Sequence, residues 1–404
     1  MAFMKPIRSR SRIRIALLSP ILSPYREPLF ELLSGELDLD LRVFFDTREL
    51  SNRPTWRSYG NRAFDYSVVP SMKISLPWKI SRKEMGYIWE NRLIIPCGLP
   101  FYLKKFDPHV VISLEFGIRT LLALPYIKLF AKKLIIWSEE YLAGTKKYSR
   151  VRMKIRRVVA SQAHAFCSCG VENKNYLLSL GAKEDKLFNV SMAVNNDFFR
   201  ERATDQLRNK TRSDFGLKGT IFLNAGQFIT RKGLDHLINS WAMLPYPIKK
   251  NATLLLVGGG TEEKRLRNLI NMHKLDSVKI VDFQPVESLP AFYAAADIFI
   301  FPTLEDAWGL VVNEAMACGK PVLCSVHAGC SSELIKEGVN GYLFDPLDSA
   351  QTVSLIRKMY EMQPNDLLRM GAASQKIIEQ YNYARMVSGF KKAIYSVSPP
   401  NRNL

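Results

Sequence analysis

Two carboxylates between residues 302 and 322 could bind the hydroxyl groups of a ligand. Asp306 lies in a predicted loop, and Glu314 lies eight positions further on, in a helix predicted to begin near Gly309 and to end near Gly319. The backbone N–H groups at the start of such a helix favour an anion. The spacing therefore predicts a ligand with hydroxyl groups at one end and phosphates in its middle. The alternative is an ordinary strand, loop and helix with two surface acids.

A cation in an earlier loop, Lys232 next to Arg231, could neutralise a phosphate group. The loop follows a predicted strand at residues 220–226 and precedes a helix that opens at Gly233. A lysine at this place adds a point charge to the anion-favouring start of the helix. We therefore predict that Lys232 binds a phosphate, and a solvated lysine is the alternative.

Both pairs of residues depend on alternating strands and helices for their position. The apolar run at residues 297–301 predicts a buried strand that leads into the loop of Asp306. Helical spacing after Gly309 predicts one buried face and one outer face. The predicted buried face consists of Val311, Val312, Ala315 and Met316, and the outer face of Leu310, Asn313, Glu314 and Ala317. Strands that alternate with helices through both halves of the chain predict two parallel α/β domains.

A second group of polar candidates belongs to the first half of the chain. Predicted strands at residues 109–113 and 133–137 are followed by Glu115 and by Ser138 and Glu139. Ligands of doubly wound sheets bind beyond the carboxyl ends of the strands, so these three side chains are candidates to face a cleft. Arg26, in the loop after the first predicted strand, is a further candidate for an acceptor contact, with a plain surface arginine as the alternative. Residues 47–82 predict a long irregular excursion at the mouth of the cleft.

The charge of the chain is concentrated in its first half. The net charge is +19 over 404 residues, and residues 1–216 account for an excess of 16 positive charges. An anionic membrane surface, a charged lipid or glycan, or a nucleic acid would suit such a half, whereas a lysine-rich solvated surface needs no partner. The densest basic segment is residues 150–157, the predicted start of a helix. It could rest on anionic lipid or be an ordinary solvated helix; nucleic-acid binding would be supported by charge alone and is not expected.

Cysteine use and hydropathy predict an intracellular protein without a metal site. The six cysteines are scattered, and Cys167 and Cys169 lack the two-residue spacing that is usual for zinc or redox pairs. No segment is long enough to span a bilayer, because lysines interrupt the most apolar stretch at residues 120–137. The basic and then apolar N-terminus favours a first buried strand at residues 13–18 over a signal peptide. We therefore expect a cytoplasmic location, with peripheral contact at the cytoplasmic face of the membrane.

The stretch that contains Asp306, Gly309 and Glu314 resembles the signature of the family 4, or group 1, glycosyltransferases. The resemblance covers nearly the whole chain, strongly at residues 220–345 and loosely before them. It departs from the family pattern at Asp306, where glutamate is usual, and at Gln227, where an arginine is often found.

The resemblance implies particular roles for the predicted site residues. Glu314 would bind the ribose of a sugar nucleotide, Asp306 the hydroxyl groups of the donor sugar, and Lys232 the diphosphate. Backbone near Gly309 would lie against the sugar and the diphosphate. The other implied donor-site residues are Gly226, Arg231, Phe283, Leu310 and Val311.

The resemblance also implies the GT-B architecture, in which two Rossmann-like doubly wound α/β domains face a central cleft. We expect an acceptor-binding domain at residues 1–205, a donor-binding domain at 206–383 and, at 384–404, a helix that crosses back to the first domain. The implied reaction is transfer of a sugar from a nucleotide-sugar donor, with retention of configuration, to a small-molecule, lipid-linked or anionic glycan acceptor in cell-surface polysaccharide or glycolipid synthesis. No cofactor or metal is expected. The rivals are a sugar-nucleotide epimerase of the same architecture and an inactive relative that binds membrane or glycan.

Overall fold

The structure is a computed structural model that describes residues 12–48, 62–75, 92–145 and 148–400. Two parallel β-sheets, each covered by helices, form its frame. The predicted excursion at residues 47–82 falls largely outside the described residues. Its described part contains two short strands, Asp65–Val68 and Met72–Ser75.

The first sheet has seven parallel strands in the order β3-β2-β1-β6-β7-β8-β9. Its central strands are runs of valine, isoleucine and leucine because helices cover both faces of the sheet. Two further strands, β4 and β5, pair with each other in antiparallel fashion. The strands of this half are β1 Ile13–Ser19, β2 Leu39–Phe45, β3 Asp65–Val68, β4 Met72–Ser75, β5 Arg92–Ile95, β6 Val110–Leu114, β7 Lys133–Ser138, β8 Ala165–Ser168 and β9 Leu187–Asn189.

The second sheet has six parallel strands in the order β12-β11-β10-β13-β14-β15. Its strands are β10 Thr220–Gln227, β11 Ala252–Gly259, β12 Val278–Val281, β13 Ile298–Phe301, β14 Val322–Ser325 and β15 Gly341–Phe344. In each sheet the chain winds outwards in both directions from a central strand, β1 or β10. Two such sheets confirm the predicted doubly wound α/β class.

Helices connect most of the strands. In the first half they are α1 Glu27–Ser34, α2 Leu99–Phe106, α3 Ile118–Leu129, α4 Leu142–Thr145, α5 Arg150–Ser161 and α6 Val171–Ser179. Along the chain, α7 Asn196–Arg202 and α8 Asp205–Asp214 follow the last strand of the first sheet and precede the second sheet. The second half contains α9 Leu234–Ala242, α10 Tyr246–Asn251, α11 Glu263–Met272, α12 Leu289–Ala295, α13 Leu310–Ala317, α14 Ser331–Leu334, α15 Ser349–Glu361, α16 Pro364–Ile378 and α17 Tyr383–Val397. In the described part of the chain, short 3-10 turns lie at Glu184–Lys186, Thr230–Lys232 and Val286–Ser288.

The last helix, α17, packs on the first sheet although it follows the second. The ring of Phe390 meets the indole of Trp137 edge-on, with the ring centroids 5.1 Å apart. The hydroxyl of Tyr383 donates a hydrogen bond to the backbone oxygen of Tyr25 at 2.9 Å. One cluster of buried apolar side chains includes residues of both sheets and of α17. The domain boundaries at residues 205 and 383 stay predictions.

No helix in the part of the chain that the structure describes is both long and apolar enough to cross a membrane.

Candidate functional site

The loops after β10 and β13 meet at the carboxyl edge of the second sheet because these two strands are neighbours. The backbone oxygen of Arg231, in the first loop, accepts hydrogen bonds from the N–H of Leu304 at 2.8 Å and from the hydroxyl of Thr303 at 3.1 Å, both in the second loop. Gly233 (φ +64°) allows this approach, since a Cβ there would collide with the backbone oxygen of Pro302. This edge, at which the winding direction reverses, is the usual ligand position in such sheets.

Asp306 lies at the meeting of these loops, between two cations. The ammonium of Lys232 donates a hydrogen bond to Asp306 Oδ2, and a guanidinium nitrogen of Arg231 lies 3.4 Å from the same oxygen. The backbone N–H of Trp308 donates to Oδ1 at 3.2 Å. Burial by itself would raise the pKa of Asp306, but the charges of Lys232 and Arg231 and these hydrogen bonds lower it to about 2. The structure thus brings the three predicted residues together.

Glu314 lies on α13, which begins directly after Gly309 (φ +107°). The hydroxyl of Tyr293, on α12, donates a hydrogen bond to Glu314 Oε2 at 2.7 Å. Burial raises the pKa of Glu314, the hydrogen bond from Tyr293 offsets part of this rise, and the resulting pKa is about 7. Sequence analysis did not identify Tyr293, because no local pattern links it to a residue 21 positions away.

The predicted faces of α13 are partly wrong. Val312, Ala315 and Met316 are buried as predicted, and Ala317 and Asn313 are buried as well. The side chain of Asn313 accepts a hydrogen bond from the indole N–H of Trp308 at 2.9 Å and donates one to the backbone oxygen of Met192 at 3.1 Å. The chain that follows β9 therefore covers the side of α13 that was predicted to face solvent.

The other predicted donor-site residues lie around the same edge of the second sheet. Gly226 (φ +151°) is near the end of β10, and a Cβ there would meet nothing within 4 Å. Leu310 and Val311 form the start of α13 and are half-buried. Phe283 follows β12 and is 58% exposed. The roles of these residues in ligand binding stay predictions.

Arg26 is buried, so the alternative of a plain surface arginine is wrong. Its side chain is 8% exposed and forms a two-point ion pair with Glu139, at 2.5 and 3.3 Å. The guanidinium also lies over the ring of Trp137, 5.2 Å from the ring centroid. Burial opposes the charged form of Arg26, but Glu139 raises its pKa above the ordinary value. The fold thus joins two predicted candidates that are 113 positions apart.

Glu115 and Ser138 belong to the same carboxyl edge of the first sheet. The carboxylate of Glu115 accepts hydrogen bonds from the N–H of Glu139 at 2.5 Å and from the hydroxyl of Ser138 at 3.2 Å. Burial and the nearby charge of Glu140 raise the pKa of Glu115 well above its ordinary value. The backbone of Glu115 is left-handed (φ +64°), a strained conformation of the kind that gathers at functional sites.

Glu140 is a member of this network that sequence analysis did not single out. Its carboxylate accepts a hydrogen bond from the hydroxyl of Tyr148 at 2.6 Å and lies 3.4 Å from the guanidinium of Arg156. The signal in the sequence was its adjacency to Glu139. Arg156 is 5% exposed, whereas the other four basic residues of α5 are exposed.

Within the described residues, no three histidine, cysteine or acidic side chains are grouped so that they could hold a metal ion. The six cysteines are free thiols, of which Cys97 is exposed and the others are buried.

The chain is similar to known proteins in sequence and in fold. Residues 205–377 match the family Glycosyl transferases group 1. The chain is 29% identical to mannosylfructose-phosphate synthase of Agrobacterium fabrum over 44% of this chain and 40% of that protein, and 28% identical to O-antigen chain mannosyltransferase B of Escherichia coli over 41% and 42%. The chain thus spans less than half the length of these relatives. The crystal structure of Anabaena HepE in complex with UDP superposes with a TM-score of 0.76 at 15% identity, over 95% of this chain and all of that one.

Proposed function

From the premise that residues 205–377 form a group 1 glycosyltransferase domain, we propose that this protein transfers a sugar from a nucleotide-sugar donor to an acceptor. The observation that carries the proposal is the placement of Lys232, Arg231 and Asp306 together at the switch point of the second sheet, in loops of which one leads into α13, the helix of Glu314. Cations and carboxylates at such an edge suit a ligand with both phosphates and hydroxyl groups.

Two cations and a helix start would stabilise the leaving nucleoside diphosphate. Lys232 and Arg231 would meet the negative charge that develops as the bond to the sugar breaks, together with the backbone N–H groups at the start of α13. These charges are fixed before the donor binds, since both side chains are mostly buried. We propose that they supply the positive charge for departure of the diphosphate without a bound metal, and that the configuration of the sugar is retained.

The carboxylates would hold the donor at its two ends. When the diphosphate forms an ion pair with the ammonium of Lys232, the side chain of Asp306 would turn towards hydroxyl groups of the sugar. Glu314 would bind the ribose, and the exposed ring of Phe283 would lie near the base. Each of these contacts is a proposal that a single substitution can test.

The network at the edge of the first sheet would border the acceptor. Arg26 and Glu139 present charges, and Glu115 a hydrogen-bonding carboxyl group, that suit a glycan. The match to an O-antigen mannosyltransferase supports a cell-surface glycan or a lipid-linked precursor as acceptor. The reaction would then take place in the cytoplasm, at the inner face of the membrane.

Thermal unfolding with UDP, GDP, ADP, CMP or no ligand tests the donor site. A ligand at a hundredfold excess over its dissociation constant stabilises the folded state by about 2.7 kcal/mol, which raises Tm by several degrees. We expect one nucleoside diphosphate to raise Tm, UDP being the first choice because of the HepE structure, and Lys232→Ala to abolish the rise. The absence of a rise with all of these nucleotides would contradict the proposed donor site.

Product analysis separates transfer from epimerisation. We expect the donor sugar to appear on an acceptor with its anomeric configuration unchanged. Conversion of the donor sugar in the absence of any acceptor would instead support an epimerase.

A further inference from the structure

We propose that the exposed face of helix α5 docks the protein on an anionic lipid surface. Three apolar side chains on this helix lie in solvent: Val151 is 68% exposed, Ile155 42% and Val158 54%. Their spacing places them within about 60° of the helix circumference, because successive residues are about 100° apart. We call these three residues the α5 stripe. Single exposed apolar residues are ordinary, but a contiguous row marks an interaction surface.

Cations border the α5 stripe on both sides. Arg150, Lys154 and Arg157 follow one side of it and Arg152 the other, and all four are exposed. Among the described residues, no carboxylate lies within ion-pair distance of Arg150, Lys154 or Arg157. An apolar row between cations is the pattern of a helix that lies in a membrane interface, with its apolar side chains among the acyl chains and its cations at lipid phosphates. An anionic bilayer therefore matches this surface in both charge and polarity.

The surface continues beyond α5. Leu129 and Phe130, at the end of α3, are 77% and 43% exposed, and Lys128 beside them is exposed. A shallow pocket joins the two helix ends, since Lys128 and Gln162 both line it. Gln162 directly follows α5 and lies in line with the α5 stripe. Together the two helix ends enlarge the area that could lie on lipid.

The inner side of α5 connects this surface to the edge of the first sheet. Arg156 is buried beneath the helix and lies 3.4 Å from the carboxylate of Glu140, and Tyr148, just before the helix, donates a hydrogen bond to the same carboxylate. Glu140 follows Glu139, a member of the proposed acceptor border. A protein docked through α5 would hold this edge near the membrane, where a lipid-linked acceptor lies. This consequence, unlike the docking itself, rests on the proposed function.

Co-sedimentation of the full chain with vesicles tests the docking. We expect the protein to sediment with vesicles of phosphatidylcholine and phosphatidylglycerol but not with phosphatidylcholine alone, and to be released by added salt, which screens the charges. The variant Val151→Ser/Ile155→Ser/Val158→Ser should lower the partition coefficient at least tenfold. Binding that is equal with both kinds of vesicle, or unchanged in this variant, would overturn the proposal.

Two further variants guard against effects of folding. The matched control Met243→Ser/Met272→Ser/Leu368→Ser changes three residues of the other half that are 60%, 67% and 69% exposed, and it should bind vesicles like the unchanged protein. Lys154→Ser and Arg157→Ser leave the α5 stripe in place and should each weaken binding to anionic vesicles about fivefold. Anionic-vesicle binding that these charge variants leave unchanged would contradict the proposal.

Two other measurements distinguish lipid docking from dimerisation through the α5 stripe and from failure of the proposed donor site. Light scattering that shows a dimer in the unchanged protein and a monomer in the serine variant, without vesicle binding, would assign the α5 stripe to a second copy of this chain and overturn lipid docking. The rise in Tm with UDP should be equal in all of these variants. Vesicle binding without any nucleotide effect would support docking and contradict only the proposed donor site.

Discussion

The pair of Lys232 and Asp306 is the best-defined charge contact of the candidate donor site. Both side chains are mostly buried, at 14% and 16% exposure, so water screens the pair only weakly. The pKa of Asp306 falls from 3.8 to about 2. A lowered pKa means that the pair stabilises the fold above about pH 4 and that this contribution is lost as the pH falls towards 2.

We predict that Lys232→Ala lowers the free energy of unfolding at neutral pH by about 2 kcal/mol, because Asp306 then stays buried with less positive charge around it. Chemical denaturation measures the loss. In an Asp306→Asn background the same substitution should have little effect, since the carboxylate is gone. An equal loss in both backgrounds would show that Lys232 stabilises the protein by another contact.

Glu314 gives the opposite dependence on pH. Its pKa rises from 4.5 to about 7 in the folded protein, so the folded state holds a proton that the unfolded state has already released. At low pH the carboxyl group is protonated in both states and does not change the free energy of unfolding. As the pH rises from 4.5 to about 7, the unfolded state ionises more readily than the folded state, so the free energy of unfolding falls.

We predict that Glu314→Gln raises the free energy of unfolding by about 1–3 kcal/mol near pH 8 and changes it little near pH 4. Denaturation curves at the two pH values measure this, with the exposed residue Glu201 changed to Gln as control. The same variant should reduce the rise in Tm with the nucleotide, because the ribose loses a charged acceptor. A gain in stability that is equal at both pH values would contradict the raised pKa.

Helix α13 depends on the glycine that precedes it. Gly309 has φ +107°, and a Cβ there would lie 2.7 Å from Phe301 Cε1. The left-handed backbone of Gly309 turns the chain from the loop of Asp306 into the helix, next to the ring of Phe301. The position of α13, and with it that of Glu314, therefore depends on Gly309.

We predict that Gly309→Ala destabilises the protein by about 2–4 kcal/mol, from the left-handed backbone and from crowding against Phe301. Gly181→Ala is the matched control, because Gly181 has φ +94° and a Cβ there would meet nothing within 4 Å. The control should lose only about 1–2 kcal/mol and keep its response to the nucleotide. Equal losses for the two variants, measured by denaturation, would mean that Phe301 moves aside without cost.

Among the described residues, two polar contacts join the second half of the chain to segments that directly follow strands of the first sheet. Asn313 donates to the oxygen of Met192, and Glu333 accepts a hydrogen bond from the N–H of Val171 at 2.7 Å. Both contacts join the second half of the chain to segments that follow β8 or β9. We expect them to help fix the position of one half of the chain relative to the other.

We predict that Asn313→Ala destabilises the protein by about 2–3 kcal/mol, since the indole N–H of Trp308 and the oxygen of Met192 both lose their partner. It should also widen the distribution of distances in small-angle scattering without nucleotide. Asn340→Ala is the matched control: Asn340 is equally buried, but its side chain bonds to Leu334 and Lys336 within the second half. Scattering curves that change equally in both variants would contradict a role of Asn313 between the halves.

Local patterns in the chain were sufficient for the fold class and for the central cluster of the candidate site. Apolar runs mark buried parallel strands, and glycines with nearby charges mark the loops at their carboxyl ends, because both signals arise between neighbours in sequence. Asp306 and Lys232 could therefore be identified together with their strand ends, whereas Arg231 was proposed only from the resemblance to a known family. The burial of Asn313, Arg26 and Arg156 could not be predicted, because each is covered by a segment distant in sequence. The chain at Met192 covers Asn313, and Glu139 pairs with Arg26. Arg156 donates a hydrogen bond to the hydroxyl of Tyr176 at 2.5 Å. An asparagine or arginine looks solvent-exposed in a periodic pattern, and only tertiary packing supplies the hydrogen bonds that permit its burial.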